Sequence, residues 1–265
     1  MSVPSLRWLP PSRALIGVVH LEPLPGAPRF GGSLGEVIAR AVKDARAWEE
    51  GGADGVIVEN FGDAPFFAGS VPPETVASMT AAASAVGGEV GIPLGVNVLR
   101  NDGEAALAVA VASGARFIRV NVLAHAYVTD QGIIEGRAAT LLRKRAFLGA
   151  DVSILADLLV KHAAPLAPIR GADAARDLAG RAGADGLIVT GSATGRPPSP
   201  EEVVEAAEAG TGAPIFVGSG LNPGNAAALL GPARGALVGT WCEREGRIDA
   251  ERVREIARAV HGQTG

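Results

Sequence analysis

The chain has little of what would tie it to a disulfide scaffold, a nucleic acid or a membrane. It holds one cysteine, Cys242, in 265 residues, which excludes an internal disulfide and a cysteine-based zinc cluster. Its 24 lysines and arginines are outnumbered by 28 acidic residues, for a net charge of −4, with no basic tail or stripe. A nucleic-acid partner is not expected, because neutralising several phosphates takes clustered Lys and Arg. No apolar run approaches the ~18–20 residues that cross a bilayer, so no membrane insertion is expected. The opening stretch MSVPSLRWLPPSR lacks the apolar segment of a signal peptide, and the expected location is cytoplasmic.

What is present is a beat of eight short apolar runs, at 15–20, 54–60, 93–99, 117–122, 152–157, 185–190, 214–218 and 235–240. Continuous rather than alternating runs mark strands buried on both faces, hence a parallel sheet covered by helices. Eight such units in 265 residues read as one α/β domain, a (β/α)8 TIM barrel over 1–265, with 1–14 as an irregular arm across its bottom. The first helix runs from a Ser33 cap to Glu50 and ends at Gly51-Gly52. Three helices return through near-identical turns, Gly-Gly-Ala-Asp at 51–54, Ser-Gly-Ala-Arg at 113–116 and Ala-Gly-Ala-Asp at 182–185. The opposite loops are longer and richer, which marks the functional face. Loop 1 spans 21–32, and loop 4, over 123–135, reads as polar and mixed.

Chemistry gathers where the strands stop. Strand 7 ends in Gly218-Ser219-Gly220, with a helix expected to start near Asn222-Pro223-Gly224-Asn225, and strand 8 ends in Gly239-Thr240. Glycines let backbone amides approach an anion, and the loops after strands 7 and 8 are the recurrent phosphate site of this fold. Gly191, after strand 6, joins the same expectation; a Gly-Ser-Gly also makes an ordinary tight turn. Of four histidines, His20 closes strand 1, His125 sits in loop 4 and His162 follows strand 5. Proton transfer suits His20, and so does merely ordering loop 1; His125 reads as a loop or lid residue. There are only three lysines, and Lys161 follows strand 5. Where arginine is so preferred, it reads as a base or Schiff-base nucleophile, or as a surface cation drawing anions. Asp157 and Lys161 are placed to pair. Glu59 and Asp157 serve as acid and base, or with Asn97 hold Mg²⁺ or Mn²⁺. Asn60, Asn97, Arg100, Arg119, Asn121, Asp130, Gln131, His162 and Thr190 complete the candidate substrate lining. Arg119 also reads as a buried partner of Glu59.

These stretches together resemble the BtpA family, also called BtpA/SgcQ. The matching text runs nearly end to end: Gly17-Val18-Val19-His20-Leu21, Val58-Glu59-Asn60-Phe61-Gly62-Asp63-Ala64-Pro65-Phe66, Gly95-Val96-Asn97-Val98-Leu99-Arg100-Asn101-Asp102 and Phe117-Ile118-Arg119-Val120-Asn121-Val122. Thr129-Asp130-Gln131-Gly132-Ile133-Ile134-Glu135-Gly136, Val160-Lys161-His162-Ala163 and Val217-Gly218-Ser219-Gly220 complete it. The resemblance implies a barrel like the ribulose-phosphate-binding ones. It offers two kinds of role. One is an enzyme on a small phosphorylated metabolite, such as a sugar-phosphate isomerase, epimerase or aldolase (a lyase or isomerase). The other is a non-enzymatic assembly factor of the kind linked to photosystem I. A metal-dependent nucleotide phosphohydrolase is a third possibility, and a homo-oligomer is expected by analogy of fold.

Overall fold

The computed structural model describes residues 6–262. Eight parallel strands close into a barrel: β1 (Ala14–His20), β2 (Gly55–Glu59), β3 (Leu94–Asn97), β4 (Phe117–Val120), β5 (Ser153–Leu158), β6 (Gly186–Thr190), β7 (Ile215–Gly218) and β8 (Gly235–Val238). Each strand lies within two residues of the apolar run that announces it. Helices follow them in turn: α1 (Leu34–Glu50), α2 (Pro73–Gly87), α3 (Gly103–Ser113), α4 (Ala138–Phe147), α5 (Gly171–Arg176), α6 (Pro200–Glu208), α7 (Ala226–Leu229) and α8 (Ala250–His261).

Strand side chains alternate between two cores. Leu15, Val19, Val58, Val96, Ile154 and Val217 point outward and pack under the helices. Ile16, Val18, Ile57, Phe117, Leu155, Ile188, Phe216 and Leu237 fill the barrel. Close packing explains two strand glycines: a Cβ on Gly17 would stand 2.1 Å from the Trp48 ring, and one on Gly95 2.3 Å from the Phe117 ring. Below this layer the described part of the arm closes the bottom. Trp8 stacks on Phe117 at 4.3 Å between centroids and donates to Ser153 Oγ at 3.2 Å, while Leu9 joins the interior core. Residues 1–5 of the expected arm lie outside the described residues.

The echoed turns share one device. Gly52, Gly114 and Gly183 each take a left-handed conformation, at φ 93°, 75° and 71°, where a side chain would be strained. Two of the turns then use their aspartate on the neighbouring strand: Asp54 Oδ2 accepts from Leu15 N and Asp185 Oδ2 from Ile154 N, both at 2.7 Å. Ser33 caps α1 by accepting from Glu36 N, as expected.

The upper loops depart from expectation in two places. Loop 4, which reads as polar and mixed, carries strands: Ala126–Thr129 and Gly132–Glu135 pair antiparallel, and Ala163–Pro165 from the loop after β5 adds a third strand. Tyr127 and Ile134 on one face are buried against Val122 and Val160, which gives this small sheet its own core. Its polar tip, Thr129-Asp130-Gln131-Gly132, conceals the apolar alternation on either side. The helix expected to start near 222–225 starts at Ala226 and is a single four-residue turn, Ala226–Leu229.

Candidate functional site

Strand register brings the polar residues to one level. His20 is paired with Glu59, and Glu59 with Asn97, at the upper ends of β1, β2 and β3. Two residues above the apolar layer, the inward positions turn ionic: Phe117 gives way to Arg119 and Asn121, Leu155 to Asp157, and Ile188 to Thr190.

Asp157 is the hub of this layer. Arg119 clasps it with two hydrogen bonds, Nε to Oδ1 at 2.8 Å and Nη2 to Oδ2 at 2.9 Å, and Asn121 Nδ2 donates to Oδ2 at 2.9 Å. Both sides of the ion pair are buried. Arg119 Nη1 also reaches Glu59 Oε2 at 3.7 Å, so its guanidinium sits between the two carboxylates. Burial opposes the charge of Arg119, but Asp157 outweighs it and holds the guanidinium above its ordinary pKa. The expected Asp157–Lys161 pair does not form; Arg119 and Asn121 occupy Asp157 instead. Arg119 is a buried ion-pair partner, with Asp157 as the nearer acid and Glu59 the farther, and it also lines the cleft.

These contacts bear on a divalent metal. Mg²⁺ and Mn²⁺ want several free oxygen donors. Asp157 already accepts three hydrogen bonds, and Glu59 faces a guanidinium. Among the described residues no cluster of three His, Cys, Asp or Glu gathers around a common point. The donor set therefore does not fit such an ion.

Two cations face the opening. Lys161 Nζ lies 3.5 Å from Ser219 Oγ, and Arg100 Nη2 donates to Lys161 O at 2.5 Å. Among the described residues neither forms an ion pair. Burial lowers the pKa of both; Arg119 pushes Lys161 down further. They line a cleft of ≈ 500 Å³ with Glu59, Arg119, Asn121, Asp130, Gln131, His162, Phe61, Phe66, Leu99 and Thr194. A narrower slot of ≈ 40 Å³ continues from it toward β7 and β8, between His20, Ser219, Gly220, Gly239 and Thr240. Glu59, Arg119, Lys161 and Thr194 border both.

Several candidates brace the site, some of them besides lining it. Asn60 Oδ1 accepts from Leu99 N at 2.7 Å while its amide donates to Asp63, and Asn97 Nδ2 donates to Arg119 O at 2.9 Å. Thr190 is buried with no partner for its hydroxyl. Gly191 and Gly220 let the 196–197 loop approach: a Cβ on either would come within 2.2 Å of Arg196 O or Pro197 N. Gly218 is crowded by Ile188 at 2.6 Å. The start of α7 offers little to an anion, because Asn222 Oδ1 already accepts from Gly224 N and Asn225 N. His162 Nε2 accepts from Thr194 N at 3.2 Å and ties two upper loops together. Burial, then Lys161, lowers its pKa. His125 pairs with Asp177 at 3.0 Å, outside the cleft. Strain concentrates here: Leu159, His162 and Ser219 all hold left-handed backbones, at φ 50°, 55° and 74°, a cost that persists where surroundings enforce it.

Sequence reading missed Phe61, Phe66, Thr194 and above all Glu243, whose Oε1 lies 2.7 Å from His20 Nδ1. Glu243 follows β8 by five positions and carries no local signal; only the folded chain brings it to a residue 223 positions away.

Fold and mouth together define a (β/α)8 barrel with a cation-lined opening at the C-terminal ends of its strands. The chain belongs to the BtpA family, whose model matches residues 11–262. It is 49% identical to the photosystem I biogenesis protein BtpA of Synechocystis, over 89% of this chain and 82% of that protein. An uncharacterized protein of Pyrococcus furiosus is 48% identical, with 89% of each chain covered. Among solved structures, thiamine phosphate pyrophosphorylase from Pyrococcus furiosus superposes with a TM-score of 0.60 at 14% identity, covering 95% of this chain and 97% of that one. Phosphoribosyl anthranilate isomerase from Thermus thermophilus gives 0.58 at 13% identity, over 95% and 100%. These likenesses establish the fold.

Proposed function

We propose that the barrel mouth binds a small phosphorylated metabolite and acts on it as an isomerase, epimerase or aldolase would. One observation carries this reading: Arg100 and Lys161 line the cleft with no ion-pair partner among the described residues, while the nearby acid Asp157 already accepts three hydrogen bonds. A buried Arg100 and a half-buried Lys161 without ion-pair partners are costly, and an anionic ligand offsets that cost. The slot beside Lys161 and Ser219 takes the phosphate, and the wider cleft takes the carbon skeleton. Solved barrels of like fold carry names such as phosphoribosyl anthranilate isomerase, which agrees with the reading.

The test is a thermal-shift screen with inorganic phosphate, sugar phosphates and nucleoside monophosphates. A ligand at about a hundred times its Kd adds ~2.7 kcal/mol of stability. The shift is expected to vanish in Lys161→Met and Ser219→Asp; a panel with no shift would reject the phosphate. Lys161 holds the phosphate as a cation here; the alternative, a Schiff-base aldol step, uses the same amine without its proton, a form that burial favours. Borohydride trapping that survives Lys161→Ala would remove that branch.

A second reading follows from the exposed apolar face of the small upper sheet, where Val128, Ile133 and Leu166 are each about half exposed. Such a face suits a protein partner. The relative's printed name, photosystem I biogenesis protein, agrees with that role. Ile133→Lys is then expected to abolish partner binding and leave the phosphate shift intact; loss of both together would reject it.

A further inference from the structure

We propose that Glu243 is a positioning residue which, with His20, forms a proton-transfer dyad at the β1–β8 edge of the mouth. The inference rests on the reading of the mouth as a site for a phosphorylated metabolite and adds the group that moves the proton.

The geometry defines each nitrogen of the ring. Glu243 Oε1 lies 2.7 Å from His20 Nδ1. A carboxylate only accepts, so Nδ1 donates its hydrogen and the neutral ring keeps its lone pair on Nε2. That nitrogen faces inward, 4.0 Å from Glu59 Oε1, in the slot that Lys161 and Ser219 also line. Two neighbours hold the ring in place. Phe61 packs at 4.5 Å between centroids, tilted 34°, and a Cβ on Gly239 would stand 3.0 Å from the ring's Cε1. The glycine after β8 therefore makes room for the imidazole, a role beside any contact with phosphate.

Glu243 is itself held from three sides. It begins a two-residue hairpin, Glu243–Arg244 paired with Arg247–Ile248. Arg247 Nε and Ile248 N both donate to the buried Asp44, at 3.0 and 3.3 Å, and Arg252 Nη1 donates to Glu243 O at 3.0 Å. The hydrogen bond to His20 keeps the Glu243 carboxyl below its usual pKa range. Orienting carboxylates of this kind fix a histidine's tautomer and stabilise the imidazolium that forms during proton transfer.

The step that suits this pair is enolisation of a phosphorylated carbonyl compound. His20 Nε2 takes a proton from the carbon beside the carbonyl. The electron pair of the broken C–H bond enters the carbonyl and gives an enolate, neutralised by the Lys161 cation. The imidazolium, still donating Nδ1–H to Glu243, returns the proton to the adjacent carbon, while the hydroxyl beside the enolate passes its own proton to the enolate oxygen and becomes the new carbonyl. Atoms and charge balance with no oxidant or co-reactant.

Nitrogen-15 NMR of labelled histidine tests the proposal without knowledge of the substrate. The chain has four histidines, so His20 is assigned by the signal lost in His20→Gln. The neutral His20 ring is expected as the Nδ1–H tautomer in the wild type and as the Nε2–H tautomer in Glu243→Ala. Diethyl pyrocarbonate, which attacks the ring nitrogen bearing the lone pair, is expected to modify His20 several-fold more slowly in Glu243→Ala. Glu243→Gln keeps an acceptor and the side-chain shape, so it should retain the tautomer and controls for collapse of the hairpin. An unchanged tautomer or an unchanged modification rate in Glu243→Ala overturns the proposal. Inorganic phosphate is expected to protect His20 from the reagent. If protection fails while tautomer and rate still depend on Glu243, the phosphate reading falls and the dyad stands.

Discussion

The floor and the mouth of the barrel are built from the same strands, two residues apart, with opposite chemistry. At the floor Ile57, Phe117, Leu155 and Ile188 interdigitate above Trp8 and Leu9, and apolar contact alone holds them. One inward position higher stand Glu59, Arg119 and Asp157, and here the contacts depend on charge and hydrogen bonding. A pleated strand allows this because alternate residues share a face and differ only in height. The floor gives stability wherever it is filled. The mouth gives stability only while every partner is present, since a buried charge that loses its partner is worse than none.

The largest effects separate the two regions by kind rather than size. Phe117→Ala empties the floor and is expected to cost ~3–5 kcal/mol in urea unfolding, as large-to-small core changes do, with phosphate binding by the folded fraction unchanged. Asp157→Ala is expected to cost a similar ~3–5 kcal/mol because Arg119 is left buried and unpaired, and here phosphate binding changes as well. Arg119→Met with Asp157→Leu makes the mouth resemble the floor. That double variant should recover part of the loss, the remainder falling on Glu59, whose facing guanidinium is gone. If it is no more stable than Asp157→Ala alone, the ion pair is not the origin of the cost.

The same contrast governs what could be read from the sequence. The eight strands were legible because burial on both faces leaves continuous apolar runs such as Leu15-Ile16-Gly17-Val18-Val19. The shared inward direction of Arg119 and Asn121 was legible from their two-residue spacing, and both reach Asp157. The small upper sheet was not, because each of its strands is three or four residues long and one contains Pro165. Roles at the mouth blurred further. Asn60 and Asn97 look like ligands in sequence and act as backbone braces in the fold. Gly191 and Gly220 look like an anion cradle, and in the fold both also make room for the close 196–197 loop. Glu243 was invisible, since a contact 223 residues long leaves no spacing to detect.

The smallest expected effect sharpens the comparison most, because it removes a charge from the mouth and should stabilise the protein. Lys161 is held below the ordinary lysine pKa of 10.5, chiefly by burial and then by Arg119. A base whose folded pKa is lowered binds its proton less tightly in the folded than in the unfolded chain. Below the folded pKa both states are protonated, and the folded state bears the full cost of the partly buried ammonium. As pH rises through the folded pKa toward 10.5, the folded protein sheds the proton first and that cost disappears. Lys161→Met should therefore raise the unfolding midpoint at neutral pH, by less than either loss above, and the gain should close as the pH nears the ordinary lysine value. Saturating phosphate should reverse the order, stabilising the wild type and leaving Lys161→Met unmoved. A variant that is less stable than the wild type at neutral pH without phosphate would mean that Lys161 belongs to the floor's kind of chemistry, where contact alone decides.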